Sequence, residues 1–452
     1  MERRAADLRL ETETLEMRVR EARSDHHRLF LEIQRVWKEL HSWGKALELN
    51  TLSIHIGGES LYDLLGPEMR WEDEFHTHIV SDGWLRSCTE LPLEELVSVT
   101  SLIVTASEDI DIWPAIVGCI IAETLPNLEH LRLFSSDWQK RWTLLRSELR
   151  DVLAQHIKNL SRKSLQTFEL RLPFKYSMNH DVHPPSLHQN GEDILSKSLH
   201  TLLTNLVTLS INVNQLTPTL FWDPSIRTSG VLCPNLKSLH VDSGFETACG
   251  QYIMRRPDNL LFSRPAYMED EDEDLLYPDS ELGIPDPDVQ LDYELGDYPT
   301  AITRVRPKPV YFDELSISVA QAATHMPRLQ SITIEFVSHF TDRGDWTGYH
   351  GWGFAFRAGA EARYPETHTH AWCGYPGLDM YILESPRREW TFRCELDQVG
   401  WEEPDEAKRL WEERFPGILA DIICFDFDED GQDCWQGVWS DVAIRPEEIE
   451  MH

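Results

Sequence analysis

Cys233-Pro-Asn-Leu-Lys-Ser-Leu-His-Val241 has two near-copies in this chain, Leu125-Pro-Asn-Leu-Glu-His-Leu-Arg-Leu133 and Met326-Pro-Arg-Leu-Gln-Ser-Ile-Thr-Ile334. Each reads as a helix end, a turn at proline, and a strand with apolar residues at Leu-x-x-Leu-x-Leu spacing. The alternation of apolar and polar residues at the end of each line is what a strand with one buried face requires. Four further lines have the same spacing: Leu49-Asn-Thr-Leu52-Ser-Ile54, Val99-Thr-Ser-Leu102-Ile-Val104, Leu165-Gln-Thr-Phe168-Glu-Leu170 and Leu206-Val-Thr-Leu209-Ser-Ile211. Successive lines start 50, 29, 37, 41, 30 and 93 residues apart, longer and less regular than common leucine-rich units of roughly 20–29 residues.

Working outward, helical stripes precede several lines. They are predicted from Ile112 to Leu125, Leu144 to Leu160, Ile194 to Leu203 and Asp313 to Met326. Helix alternating with strand gives a parallel sheet with the helices on one side. The expected fold class is therefore α/β: an irregular leucine-rich-repeat solenoid with a parallel sheet, an N-terminal helical cap and a small β-rich C-terminal unit.

The domain organisation follows from composition. Residues 1–47 read as an amphipathic helix with an apolar stripe through Leu15, Val19, Leu29, Ile33, Val36, Leu40, Trp43 and Leu47. Such a stripe suits a cap on the first repeat, with a coiled-coil seam as the other reading. Residues 48–262 are the repeat-like solenoid. Residues 263–310 are an acidic insertion, containing Glu269-Asp-Glu-Asp-Glu-Asp274 and no Lys or Arg between Arg264 and Arg304. Like-charge repulsion and scarce apolar surface predict disorder there. Residues 311–345 hold the last repeat, and residues 346–452 a β-rich cap. That cap is predicted to contain strands at Gly353–Arg357 and Trp390–Glu395, a helix from Pro404 to Phe415, and a hairpin through Ile422–Asp428 and Cys434–Trp439.

Charge narrows the function. The chain has 42 Lys and Arg against 77 Asp and Glu, a formal net charge of −35. Phosphate contacts need clustered cations, so neither nucleic acid nor an anionic membrane is an expected partner. The start, Met-Glu-Arg-Arg, is not that of a secretory signal peptide, and the apolar run Ile112–Ala122 is too short to span a bilayer. The eight cysteines lack Cys-x-x-Cys pairing. The expected compartment is cytoplasm or nucleus.

Several motifs invite a chemical reading and fail on spacing. Asp426-x-Asp428-x-Asp430-Gly431 opens like a calcium loop, but the twelfth position, which needs a bidentate Glu, is Gly437. His368, His370 and Cys373, with His76 and His78, offer nitrogen and sulfur without the short paired spacing of a zinc site. No nucleophile elbow, Walker loop or His-Glu-x-x-His helix is present. The expectation is a non-enzyme with no cofactor and no metal.

What remains is a binding surface. If the apolar residues of each line point inward, the alternating residues form the opposite, concave face. These are Thr51, Ser53, His55, Ser101, Thr105, His130, Arg132, Glu169, Arg171, Ser210, Asn212, His240, Asp242, Thr333 and Glu335. They are the candidate partner-binding residues for an unidentified protein. An alternative reading makes the acidic segment at 269–297 a binder or chaperone for a basic protein. A metal-dependent enzyme built on the C-terminal unit is a third.

The Leu-Pro-Asn-Leu-x-x-Leu-x-Leu lines, the acidic interruption and the Trp-rich C-terminal segment together resemble filamentous-fungal F-box proteins with leucine-rich-repeat-like domains. The resemblance spans roughly residues 30–452. It implies a protein similar to the substrate-recognition subunit of a cullin–RING ubiquitin ligase, with an N-terminal F-box holding the ligase and the repeats holding the substrate. Residues 1–48 show no F-box, so either the module has been lost or the chain is truncated. Leu91-Pro-Leu-Glu-Glu-Leu96 opens like one, but Val99–Val104 continues as strand. Binding to a Skp-type adaptor is not expected of this chain, because one helical stripe cannot supply a three-helix core.

Overall fold

The computed structural model describes residues 34–42, 51–57, 93–105, 113–135, 143–161, 164–172, 183–187, 192–223, 233–255, 306–342, 345–358, 386–392, 400–427 and 433–440. The chain is α/β and divides into two compact units, Met1–Pro173 and Phe174–His452.

The N-terminal unit opens with helix α1 over residues 34–42. There follow β1 (Leu52–Gly57), β2 (Val99–Thr105), α2 (Trp113–Glu123), β3 (His130–Phe134), α3 (Thr143–Leu160) and β4 (Thr167–Leu172). The four strands pair in sequence order and all run parallel. Leu102, Val104, Leu131, Leu133, Phe168 and Leu170 are buried, together with Ile116 and Ile120 of α2 and Leu149, Leu153 and Ile157 of α3. The Leu-x-Leu positions thus build one core face, as the alternation requires. A Cβ added to Gly118 would lie 2.4 Å from Leu133 Cδ2, so glycine lets the α2 backbone approach the sheet closely.

The proline-containing line has a structural use. After α2 the chain turns at Pro126, and Asn127 Nδ2 donates to the Val97 carbonyl at 2.7 Å, tying this line to the one before. At the matching place in the last line stands Arg328, whose guanidinium donates to Asn235 Oδ1 at 3.3 Å. The third residue of each motif therefore links neighbouring lines.

The C-terminal unit contains α4 (Ile194–Leu203), β5 (Thr208–Val213), β6 (Ser238–Gly244), β7 (Met254–Arg255), β8 (Arg306–Pro307), α5 (Pro309–Thr324), β9 (Ser331–Asp342), β10 (Asp345–Arg357), β11 (Arg387–Phe392), α6 (Asp405–Arg414), β12 (Leu419–Phe427) and β13 (Asp433–Ser440). Strands β5, β6 and β9 are parallel. β10 pairs antiparallel with both β9 and β11, β11 is parallel to β12, and β12 and β13 form an antiparallel hairpin. The boundary expected at residue 345/346 falls inside the β9–β10 hairpin, so the tryptophan-rich segment extends the sheet.

Phe312 of α5 lies 5.8–6.2 Å from Phe336, Trp390, Phe392 and Trp401, and Trp411 of α6 lies 4.8 Å from Phe356. Edge and tilted packing of these rings fills the core of this unit. β7 pairs antiparallel with β8, which brings together the chain on either side of residues 256–305. Helix α5 begins at Pro309, with proline in the first turn where its missing N–H costs nothing. Residues 306–310 thus belong to folded structure, although the sequence assigned them to the insertion. The acidic run 269–297, most of the expected 1–47 helix and the candidate ligands His76, His78, His368, His370 and Cys373 lie outside the described residues. No described helix is long and apolar enough to cross a membrane.

Candidate functional site

Side chains alternate along a strand, so register alone assembles the face opposite the N-terminal core. One row across β1–β4 is Ser53, Ser101, His130 and Thr167; the next is His55, Ile103, Arg132 and Glu169. The third is Gly57, Thr105, Phe134 and Arg171. Thr51, Ser53, His55, His130 and Arg132 are exposed, while Ser101, Ile103, Thr105, Phe134 and Arg171 are half-buried. Thr51 precedes a register shift at Leu52–Ser53.

Charge on this face centres on Glu169. Its side chain is 7% exposed and ion-pairs with Arg132 Nε, 3.3 Å from Oε2, and with Arg171 Nη2, 2.7 Å from Oε1, the second contact not being aligned as a hydrogen bond. The arginines themselves stay 46% and 37% exposed. Arg171 lies over Phe134, its guanidinium carbon 5.2 Å from the ring centre. His55 Nε2 sits 3.2 Å from Thr105 Oγ1, and His130 Nε2 4.0 Å from Glu129.

In the C-terminal unit the rows are Ser210, His240 and Thr333, then Asn212, Asp242 and Glu335. Here the sequence reading needs correction. Its alternation rule placed every candidate residue in solvent, yet His240, Asp242 and Thr333 are buried, as is Glu169 in the other unit. Ser210, Asn212 and Glu335 are half-buried. Alternation fixes which face a side chain takes; it does not say whether that face is covered. Asn212 Nδ2 donates to Asp242 Oδ2 at 2.6 Å, so part of the row is satisfied along the sheet and not by water.

Past the end of β5 a polar network appears that no sequence motif announces. Gln215, fully buried, is the one described non-glycine residue with positive φ, at 58°. Its Nε2 donates to the Pro185 carbonyl and to Glu246 Oε2, and Asn214 Nδ2 donates to the same Glu246 oxygen. A glutamine in that backbone region is held there by its surroundings. Ile103 and Phe134 were also missed on the N-terminal face. The parity set by Leu102 and Leu133 would have placed them there.

Among the described residues no group of three or more His, Cys, Asp or Glu is arranged to hold a metal ion. Asp426 lies in β12 and Asp433 opens β13, so strands stand where a calcium-binding loop of that pattern needs helices. Searches against protein-family models, curated proteins and solved structures return no match to this chain.

Proposed function

We propose that the chain is a protein-interaction scaffold. In this reading its α/β units are an irregular leucine-rich-repeat-like solenoid, and a partner protein binds on the polar face of the parallel strands. The role is similar to that of the substrate-recognition part of a ubiquitin-ligase F-box protein, acting in cytoplasm or nucleus, without catalysis. The observation that carries the reading is the exposed face of β1–β4, where His55, His130, Arg132 and Arg171 stand in adjacent rows beside the half-buried Ile103 and Phe134. Polar groups around partly exposed apolar side chains are what a docking surface presents. On this face the fifteen-residue candidate set contracts accordingly to Thr51, Ser53, His55, Ser101, Thr105, His130, Arg132 and Arg171, with Glu169 buried among them.

The test is site-specific photo-crosslinking in living cells of the native host. A photoreactive residue at Ser53 or His130 should trap a discrete partner, whereas one at Glu148, exposed on α3, should not. Equal trapping at both places, or none at either, would remove the reading.

A further inference from the structure

We propose that the exposed face of β1–β4 takes an acidic, extended peptide segment, its carboxylates held by Arg132 and Arg171. The inference rests on the docking role argued above and adds the chemistry of the partner. A guanidinium carries five N–H donors in a planar fork. Arg132 and Arg171 each bring one nitrogen to Glu169, have no other polar partner among the described residues, and keep side chains 46% and 37% exposed.

Both forks are paired with a buried carboxylate before a ligand arrives. Glu169 lies buried beneath them, and the Phe134 ring supports the Arg171 plane. An arginine that has already given up its rotamer freedom loses little more on binding. Two guanidinium groups against the one carboxylate of Glu169 leave the Arg132–Arg171 pair itself net positive, with Glu129 beyond it beside His130, on a chain whose formal charge is −35. A ligand with carboxylates is therefore drawn to this face specifically and repelled elsewhere. Nucleic acid would meet the same repulsion along a much longer contact, which favours a short peptide segment.

Ile103 and Phe134 border the arginines in adjacent rows and are half-buried. A strand-like ligand laid across the strands can set an apolar side chain there. Its acidic residues would recur at alternate positions, roughly 7 Å apart.

The experiment selects phage-displayed random peptides of about twelve residues, long enough to cross four strands, on the full chain. Affinities of the selected peptides are then measured by fluorescence anisotropy. The expected result is enrichment of Asp and Glu beside apolar residues, with affinity at least tenfold lower for Arg132→Glu/Arg171→Glu. Arg132→Gln/Arg171→Gln serves as the milder pair should charge reversal upset folding, and Lys408→Glu on α6 should change nothing. Enriched peptides that are neutral or basic, keep their affinity in both arginine variants, and lose it in Ile103→Glu would overturn the acidic partner while leaving the docking face standing. Peptides indifferent to every substitution on this face, or no enrichment at all, would overturn both.

Discussion

Arg388 and Glu403 are ion-paired in the C-terminal core, each side chain 5% exposed. Glu403 Oε1 also lies 3.1 Å from Ser316 Oγ and 3.4 Å from Trp390 Nε1, both donors. One carboxylate therefore joins α5, β11 and the segment ahead of α6. Removing one partner of such a pair strands a buried charge, so Glu403→Ala should lose about 3–5 kcal/mol of stability. Replacing both, as in Arg388→Met/Glu403→Leu, should cost less than Glu403→Ala alone. Denaturant unfolding of the full chain checks both, and equal losses for the two variants would contradict the account.

Trp37 is the anchor of α1. It is 2% exposed, and its Nε1 donates to the Glu94 carbonyl at 2.9 Å, just ahead of β2. Trp37→Ala should destabilise by about 3–5 kcal/mol, as for other large core truncations. Trp37→Phe keeps most of the ring, and loss of its hydrogen bond should cost about 1 kcal/mol. Deleting residues 1–44 should leave the chain insoluble; a soluble truncation of unchanged stability would show that α1 does not cap the unit.

His200 makes stability depend on pH. Its Nδ1 sits 3.0 Å from the Leu220 carbonyl, which can only accept, so Nδ1 carries the proton. Nε2 is buried without a hydrogen-bond partner, and burial holds the imidazole below its usual range. Above about pH 6.5 both folded and unfolded forms are neutral and this residue adds no pH dependence. Below that value the unfolded chain takes up a proton that the folded chain resists, so stability falls as pH falls. His200→Asn, which keeps a donor for Leu220, should flatten the drop in Tm between about pH 7 and pH 5. An unchanged slope in that variant would assign the effect elsewhere.

Three cysteines, Cys119, Cys233 and Cys249, should separate by reactivity. Burial pushes the Cys233 thiol up to about 12, and burial with nearby Glu123 pushes Cys119 higher still; Cys249 is exposed. Only thiolate reacts readily. Brief iodoacetamide treatment of native protein followed by peptide mapping should label Cys249 and spare Cys119 and Cys233 until denaturant is added. Early labelling of Cys233 would mean that its strand entry opens on the timescale of the reaction.

Every Leu-x-x-Leu-x-Leu line became a strand, since the apolar–polar alternation at its end is a local signal for a half-buried strand. Apart from the 1–47 helix, of which only residues 34–42 are described, the helices came within a few residues of expectation, with α5 starting earlier, at Pro309. There, proline looked like loop sequence because its use in a first turn shows only once the helix is known. The candidate face was legible as a parity, giving the right rows but not their burial. Glu169 and Arg132 look alike in the sequence as outward residues, yet one is buried under the other. The Gln215 network was illegible because its members, Pro185, Asn214, Gln215 and Glu246, come from three separate segments.

Strands β6 and β9 pair directly, Ser238 against Ser331, across 93 residues of chain. β9 and β10, by contrast, meet through a tight reversal at Asp342 and Asp345. Local hairpins close in microseconds, while long loops must be closed against chain entropy first. During synthesis at 5–20 residues per second, β6 would therefore wait on the order of 10 s for its neighbour to emerge. Throughout that interval its outer backbone groups are a template for strands of other nascent chains. In the nascent chain, more than in the finished protein, this strand edge would stand open to such pairing.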